Sequence, residues 1–229
     1  MLDTVKRESI YQPLQPGLKF PEKPVFATHA EERRHRQQRL VAACRAFAVH
    51  GLDYGFAGHL TIRDPEHPEL YWTNPMAVHF AQVKVSNLIL ADHKGRVVEG
   101  SYAINRAGFV LHAAVHEAHP DIVAMCHAHT VYGVAYAALG KPLPPVTQDA
   151  CAFFEDHAVI SDEGGKVAVE EEAGHSFASA FKGVKAAIRQ SHGPITASRY
   201  GIDAAAFWFV AKECCCCQQQ LMLDASGRE

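Results

Sequence analysis

Apolar positions along the chain change period several times, and each change marks an element. From Glu31 onward, Leu40, Val41, Cys44, Phe47 and Ala48 recur at three- and four-residue steps, the spacing of one helix face, and Gly51 supplies a C-terminal stop. Short strand-like runs follow over residues 59–63, 70–72 and 88–90, punctuated by Asp64-Pro65 and His93-Lys94-Gly95. Residues 106–119 read as a helix ending before Pro120-Asp121, 122–126 as a compact apolar strand, and 131–139 as a helix closed by Gly140. Pro142, Pro144 and Pro145 make a rigid connection. A strand over 157–160, a turn at Gly164-Gly165, a helix over 170–181, a strand over 185–188 and a long helix over 202–223 complete the pattern. Alternating helices and strands with short connectors predict one layered α/β domain over residues 29–223. Before it, residues 1–28 carry Pro13, Pro16, Pro21 and Pro24 without a sustained period and read as an extended arm; residues 224–229 read as a polar tail.

Composition narrows the function classes. Lys and Arg total 22 against 25 Asp and Glu, so a formal net charge of −3 gives no electrostatic reason to expect nucleic acid or an anionic membrane as partner. Charge interrupts every apolar stretch before the roughly 20 residues that a membrane span needs. The first residues carry acids where a secretory leader would be apolar, so a cytoplasmic protein is expected. Cys44, Cys126, Cys151 and the run Cys214–Cys217 lack CxxC pairs at zinc-finger spacing and read as reduced thiols. On a helix the four-cysteine run points to different faces and cannot converge on one ion. The unusual count is 15 histidines in 229 residues, which raises the question of whether any converge.

His127-Ala128-His129 closes the strand over 122–126. Two residues apart on extended backbone, both rings face one way and one ion can take both; two ordinary polar histidines at a strand–helix junction remain the alternative. His192, in Ser191-His192-Gly193-Pro194, again follows an apolar strand, and Gly193 permits a sharp turn that aims the ring inward. Three neutral imidazoles would form an open metal site suited to Lewis-acid chemistry on a carbonyl or enolate. His112, His116 and His119 lie on the predicted helix without the acid of an HExxH string, and His116 and His119 read as solvent-facing or capping. Gly58-His59 is a glycine turn entering a strand, able to lay a ring against a ligand or simply to start an edge strand. GxGxxG, GxxxxGKS and GxSxG are all absent, which leaves dinucleotide, P-loop and serine-hydrolase readings without support.

Taken together, "AGHLTIRDP", "WTNPMAVHF", "NRAGFVLHAAVHEAHPDIVAMCHAHT", "PPVTQDACAFFEDHAV", "SHGPIT" and "AAFWFVAKECCCCQQQL" resemble the class II aldolase/adducin family in order and spacing. The resemblance implies a three-layer α/β/α domain, usually in a homotetramer with active sites near subunit interfaces. It also implies a small-molecule substrate and one divalent metal on His127, His129 and His192. Zinc is the commonest such metal, with iron or manganese as alternatives. Sugar-phosphate aldolases of the family carry a glutamate four residues before His112, where this chain has Gly108, and a serine pair where it has Arg106-Ala107. Their glycine-asparagine turn is Gly58-His59 here. The resemblance is therefore to the adducin-like branch, and a sugar-phosphate substrate is not expected. Proton transfer would then fall to His59, His112, Tyr132 or a neighbouring subunit. Arg106, Gln148 and Asp149 fall where the family places pocket residues. The expected activity is that of a metal-dependent lyase. A mononuclear iron oxygenase or isomerase and a non-catalytic adducin-like binding module are the alternatives.

Overall fold

The computed structural model describes residues 13, 15–161 and 171–227. The expected turn at Gly164-Gly165 lies outside them. Thr28 opens α1 (His29–Val49) with a capping box, its hydroxyl accepting from the Glu31 amide while Glu31 reaches back to the cap backbone. The first strands form an antiparallel meander: β1 (His59–Arg63), β2 (Leu70–Thr73), β3 (Ile89–Asp92) and β4 (Val97–Glu99). Then come α2 (Arg106–Ala118), β5 (Ala124–His127), α3 (Val131–Ala137), α4 (Gln148–Cys151), β6 (His157–Ile160) and α5 (Glu171–Phe181). A hairpin of β7 (Ala186–Arg189) and β8 (Gly193–Ser198) leads to the long α6 (Ile202–Ser226). All eight strands join one sheet in the order β4-β3-β2-β1-β5-β8-β7-β6, with only β6 and β7 parallel.

The centre of the sheet, β1, β5 and β8, is buried on both faces, so alternate residues of each of these strands serve different cores. On one face, Leu60, Ile62, Ala124 and Cys126 pack with Leu40, Cys44 and Phe47 of α1 and Phe209 of α6. On the other, Met125, Ile195 and Ala197 pack with Leu111 and Val115 of α2 and Phe177 and Phe181 of α5. This gives the expected three α/β/α layers. It also decides which way His59, Thr61 and His127 point. They alternate with the first set and therefore lie beneath α2.

Three elements were not legible in the pattern. β4 is wholly exposed and shows no alternation. α4 is a single short segment capped by Thr147. β8 begins with Gly193-Pro194, residues that argue against a strand. Proline is tolerated there because it enters at the start of the strand, just after the hairpin turn. On α6 the cysteine run behaves as expected: Cys215 and Cys216 are buried, Cys214 is exposed, and all seven thiols are free. Asp64 anchors the first crossover, its buried carboxylate accepting from Arg33 Nε at 2.7 Å and Trp72 Nε1 at 2.8 Å. Burial opposes that charge, but the Arg33 guanidinium, the Trp72 indole and two backbone amides hold the carboxyl well below the usual range.

Candidate metal centre

Two strand registers and one hairpin assemble the histidines. β1 and β5 are antiparallel neighbours with His59 directly opposite His127, and their ring centroids lie 5.0 Å apart. His129 lies two residues beyond the end of β5. His192 comes from the β7–β8 turn, between Ser191 and Gly193, both at positive φ (58° and 147°). Gly193 thus performs the turn expected of it, for which a side-chained residue would be strained. The His192 ring stacks on His127 at 4.9 Å and meets His129 edge-on at 4.8 Å. The candidate ligand nitrogens of His127, His129 and His192 all lie within 4.8 Å of one another.

Each buried ring is oriented from behind. His127 Nδ1 donates to the Pro194 carbonyl at 2.9 Å, which leaves its buried Nε2 as a lone pair with no donor among the described residues. A ring fixed by a carbonyl on one nitrogen and free on the other is the usual arrangement of a metal-ligating histidine. The residues present therefore fit a metal ion. Burial lowers the pKa of all three, most explicitly His192 to about 3, with the neighbouring His129 and Arg189 adding to it. The rings are neutral at physiological pH, the form in which imidazole binds metal.

Glu213 of α6 holds the ligand loop in place. Its carboxylate accepts from the Thr130 hydroxyl, the Tyr132 amide at 3.0 Å and the Gly133 amide at 2.8 Å, capping α3 immediately after His129. Sequence reasoning missed Glu213, because it lies 80 and 81 positions from the amides it caps and no local spacing marks it.

His112 lies beneath the cluster, its ring 4.3 Å from that of His59. His116 corrects the sequence reading. It is fully buried rather than solvent-facing, because Thr61 Oγ1 bridges His112 Nδ1 at 2.9 Å and His116 Nε2 at 3.0 Å. Burial lowers the pKa of His59 to about 4 and of His116 to about 3, and pushes His112 well below its usual value. Asn74 clamps both sides of His59, accepting from the Leu60 amide at 2.9 Å and donating to the Gly58 carbonyl. Asn105 caps α2 and ties the Ala57 carbonyl to it. Thr61, His116, Asn74 and Asn105 were all missed as support, because each bonds to a partner that lies far from it in the sequence or on another element.

The remaining candidates lie on α2, α3 and α4. Tyr132 is partly exposed and its hydroxyl pairs with Cys217 of α6, which raises its pKa. Arg106 is exposed at the start of α2. Gln148 and Asp149 are exposed on α4, where Asp149 lies close enough to Cys214 and Cys215 to raise their pKa values.

Comparison with known proteins agrees with this fold. The family model described as Class II Aldolase and Adducin N-terminal domain matches residues 38–220. Decarboxylase NovR of Streptomyces niveus is 43% identical over 211 residues, covering 91% of this chain and 77% of its own. A 4-hydroxy-3-prenylphenylpyruvate oxygenase/4-hydroxy-3-prenylbenzoate synthase of Streptomyces roseochromogenus subsp. oscitans is 43% identical over 210 residues, covering 91% and 75%. Among solved structures, L-fuculose 1-phosphate aldolase from Glaciozyma antarctica PI12 superposes with a TM-score of 0.81 at 42% identity, covering 90% of this chain and 80% of that one. No helix among the described residues is long and apolar enough to cross a membrane.

Proposed function

This chain belongs to the class II aldolase and adducin family, and from that membership we propose that it is a divalent-metal-dependent lyase. The reaction is cleavage of a carbon–carbon bond beside a carbonyl, by decarboxylation or aldol cleavage, in a small oxygenated substrate. The convergence of His127, His129 and His192, with His127 Nε2 left free by its Pro194 bond, carries this reading. A relative named as a decarboxylase at 43% identity supports it. The bound ion would supply Lewis acidity toward a carbonyl oxygen, which eases loss of the neighbouring carbon. The chain's own contribution is orientation and proton handling. His59 and His112 lie beside the ligand set, neutral and held by backbone and hydroxyl partners, and can take or return a proton at Nε2. Gly108 offers no carboxylate, and Arg106-Ala107 replaces a phosphate-binding serine pair, so a sugar phosphate is not the substrate class favoured.

A second reading is supported by the relative named as an oxygenase and by a three-histidine set that leaves positions open for dioxygen and substrate: a mononuclear iron oxygenase. Elemental analysis of protein purified without chelator or nickel resin separates the readings. Stoichiometric zinc or manganese supports the lyase and iron supports the oxygenase. Metal-free protein, with partner binding unchanged by His127→Ala, would leave the non-catalytic binding module. His192→Ala is expected to abolish occupancy, and full retention would refute the ligand assignment. Release of carbon dioxide from 3-oxo acids, in which the electrons of the broken bond pass to the carbonyl oxygen, set against turnover of L-fuculose 1-phosphate, tests the substrate class.

A further inference from the structure

Three rings, His112 and His127 on either side of His59, each have a buried Nε2 with no hydrogen-bond donor among the described residues. Their tautomers follow from what the other nitrogen meets. His59 Nδ1 lies 3.2 Å from the Ala57 carbonyl and His127 Nδ1 2.9 Å from the Pro194 carbonyl, so both Nδ1 atoms carry the proton. For His112 the assignment runs through two neighbours. His116 Nδ1 donates to the Ile122 carbonyl at 3.1 Å, so its Nε2 must accept the Thr61 hydroxyl proton. Thr61 has a single proton, and Oγ1 therefore accepts from His112 Nδ1. Every one of the three Nε2 atoms is thus a lone pair. His127 directs its own toward the ligand set, which leaves two adjacent acceptors, on His59 and His112.

Gly108 is what admits the first of them. A Cβ on residue 108 would lie 2.1 Å from His59 Cε1 and 2.3 Å from Nδ1, so the imidazole fills the space in which any side chain on α2 would begin. The two residues are therefore alternatives in space. An imidazole from β1 stands where the helix would otherwise project a side chain, and the polarity of this end of the site is set by the exchange.

We propose that His59 and His112 form an acceptor subsite beside the metal-binding histidines that takes a neutral hydroxyl of the substrate, an alcohol or enol O–H, with Gly108 as the residue that determines this specificity. A carboxylate or phosphate oxygen would bring lone pairs to lone pairs; a hydroxyl has one proton and satisfies one of the two nitrogens, whereas a methyl group satisfies neither. The inference rests on the metal reading, because the ligand set anchors the other end of the substrate.

The test uses the full-length chain loaded with cobalt(II) and two probes of equal length, hydroxypyruvate and 2-oxobutyrate, which share an oxo-acid end and differ by a hydroxyl in place of a methyl. Titration calorimetry is expected to show hydroxypyruvate binding at least about tenfold tighter, since a site built to bond a hydroxyl rejects the analogue lacking it. Gly108→Ala and His59→Phe are each expected to abolish the preference while cobalt content stays stoichiometric. In histidine labelled with nitrogen-15, hydroxypyruvate is expected to move the Nε2 resonance of His59 or of His112, whichever takes the hydroxyl proton, and leave that of His116. Equal affinities in cobalt-loaded protein would overturn the subsite and leave the metal reading standing. Absence of cobalt uptake would overturn the metal reading and the subsite with it. A preference that survives in both variants would overturn the assignment to this pair.

Discussion

Glu213→Gln isolates the contribution of one buried carboxylate to the ligand loop. The substitution keeps shape and volume but turns one oxygen into an NH₂ group. One carboxylate oxygen accepts from the Tyr132 amide, and the other from the Gly133 amide and the Thr130 hydroxyl. Whichever oxygen is replaced, a backbone N–H is left facing a donor. An orphaned buried donor costs about 1–3 kcal/mol, and loss of charge assistance in the surviving bonds adds about 1 kcal/mol. The sum is about 2–4 kcal/mol, or a fall in Tm of roughly 5–15 °C for a chain of this size. Because Thr130 directly follows His129, the loop should loosen and metal content fall together with Tm. Differential scanning calorimetry with parallel elemental analysis measures both. A Tm within about 2 °C of the parent, with metal content unchanged, would refute the claim that Glu213 positions the site. Gly133→Ala provides a control with an inverted sign. Alanine ordinarily favours a helix by up to about 1 kcal/mol, but here its Cβ would lie 2.7 Å from Glu213 Oε2 and 2.6 Å from Thr130 Oγ1, so a loss of stability is expected.

Two further outcomes follow from buried ionisable groups. Burial lowers the pKa of His59, His112, His116, His127 and His192, so below about pH 6.5 the unfolded chain binds protons that the native chain refuses. Metal-free protein should therefore lose stability as pH falls from 6.5 toward 4, by up to about 1.4 kcal/mol per pH unit for each such histidine; a urea midpoint that stays flat from pH 7 to 5 would contradict their burial. Lys212 is fully buried, its ammonium 4.7 Å from the centroid of the Phe153 ring and without a hydrogen bond among the described residues, and burial lowers its pKa to about 8. Lys212→Met should stabilise the chain by about 1–3 kcal/mol by removing an uncompensated buried charge, seen as a higher urea midpoint; a decrease would show that the charge has a partner.

Much of this molecule is written in local spacing. The two-residue step of His127 and His129, the period change at each helix and strand, and the Ser191-His192-Gly193 turn are short-range features, and the residues within each meet by backbone geometry alone. The resemblance carried by the order of the motifs extended them to a family, a three-layer fold and a set of three ligands. Local spacing gave no warning of His116 or Glu213. Whether a histidine on a helix faces water or a strand depends on what packs over it, and a cap that reaches across 80 residues leaves no periodic trace.

What the sequence determined by itself was which residues could bind a metal and which elements would carry them. Tertiary structure decided how they meet. The register that sets His59 opposite His127, the hairpin that returns His192 to the same point, and the exchange of space between Gly108 and the His59 ring are all contacts between distant segments. They depend on sheet order and on layer packing, which are fixed only when both faces of the strands are buried at once. The hydrogen-bond chain from Ile122 through His116 and Thr61 to His112 is of the same kind. Each proton in it is placed by a partner on a different element, so the site's acceptor character exists only in the folded chain.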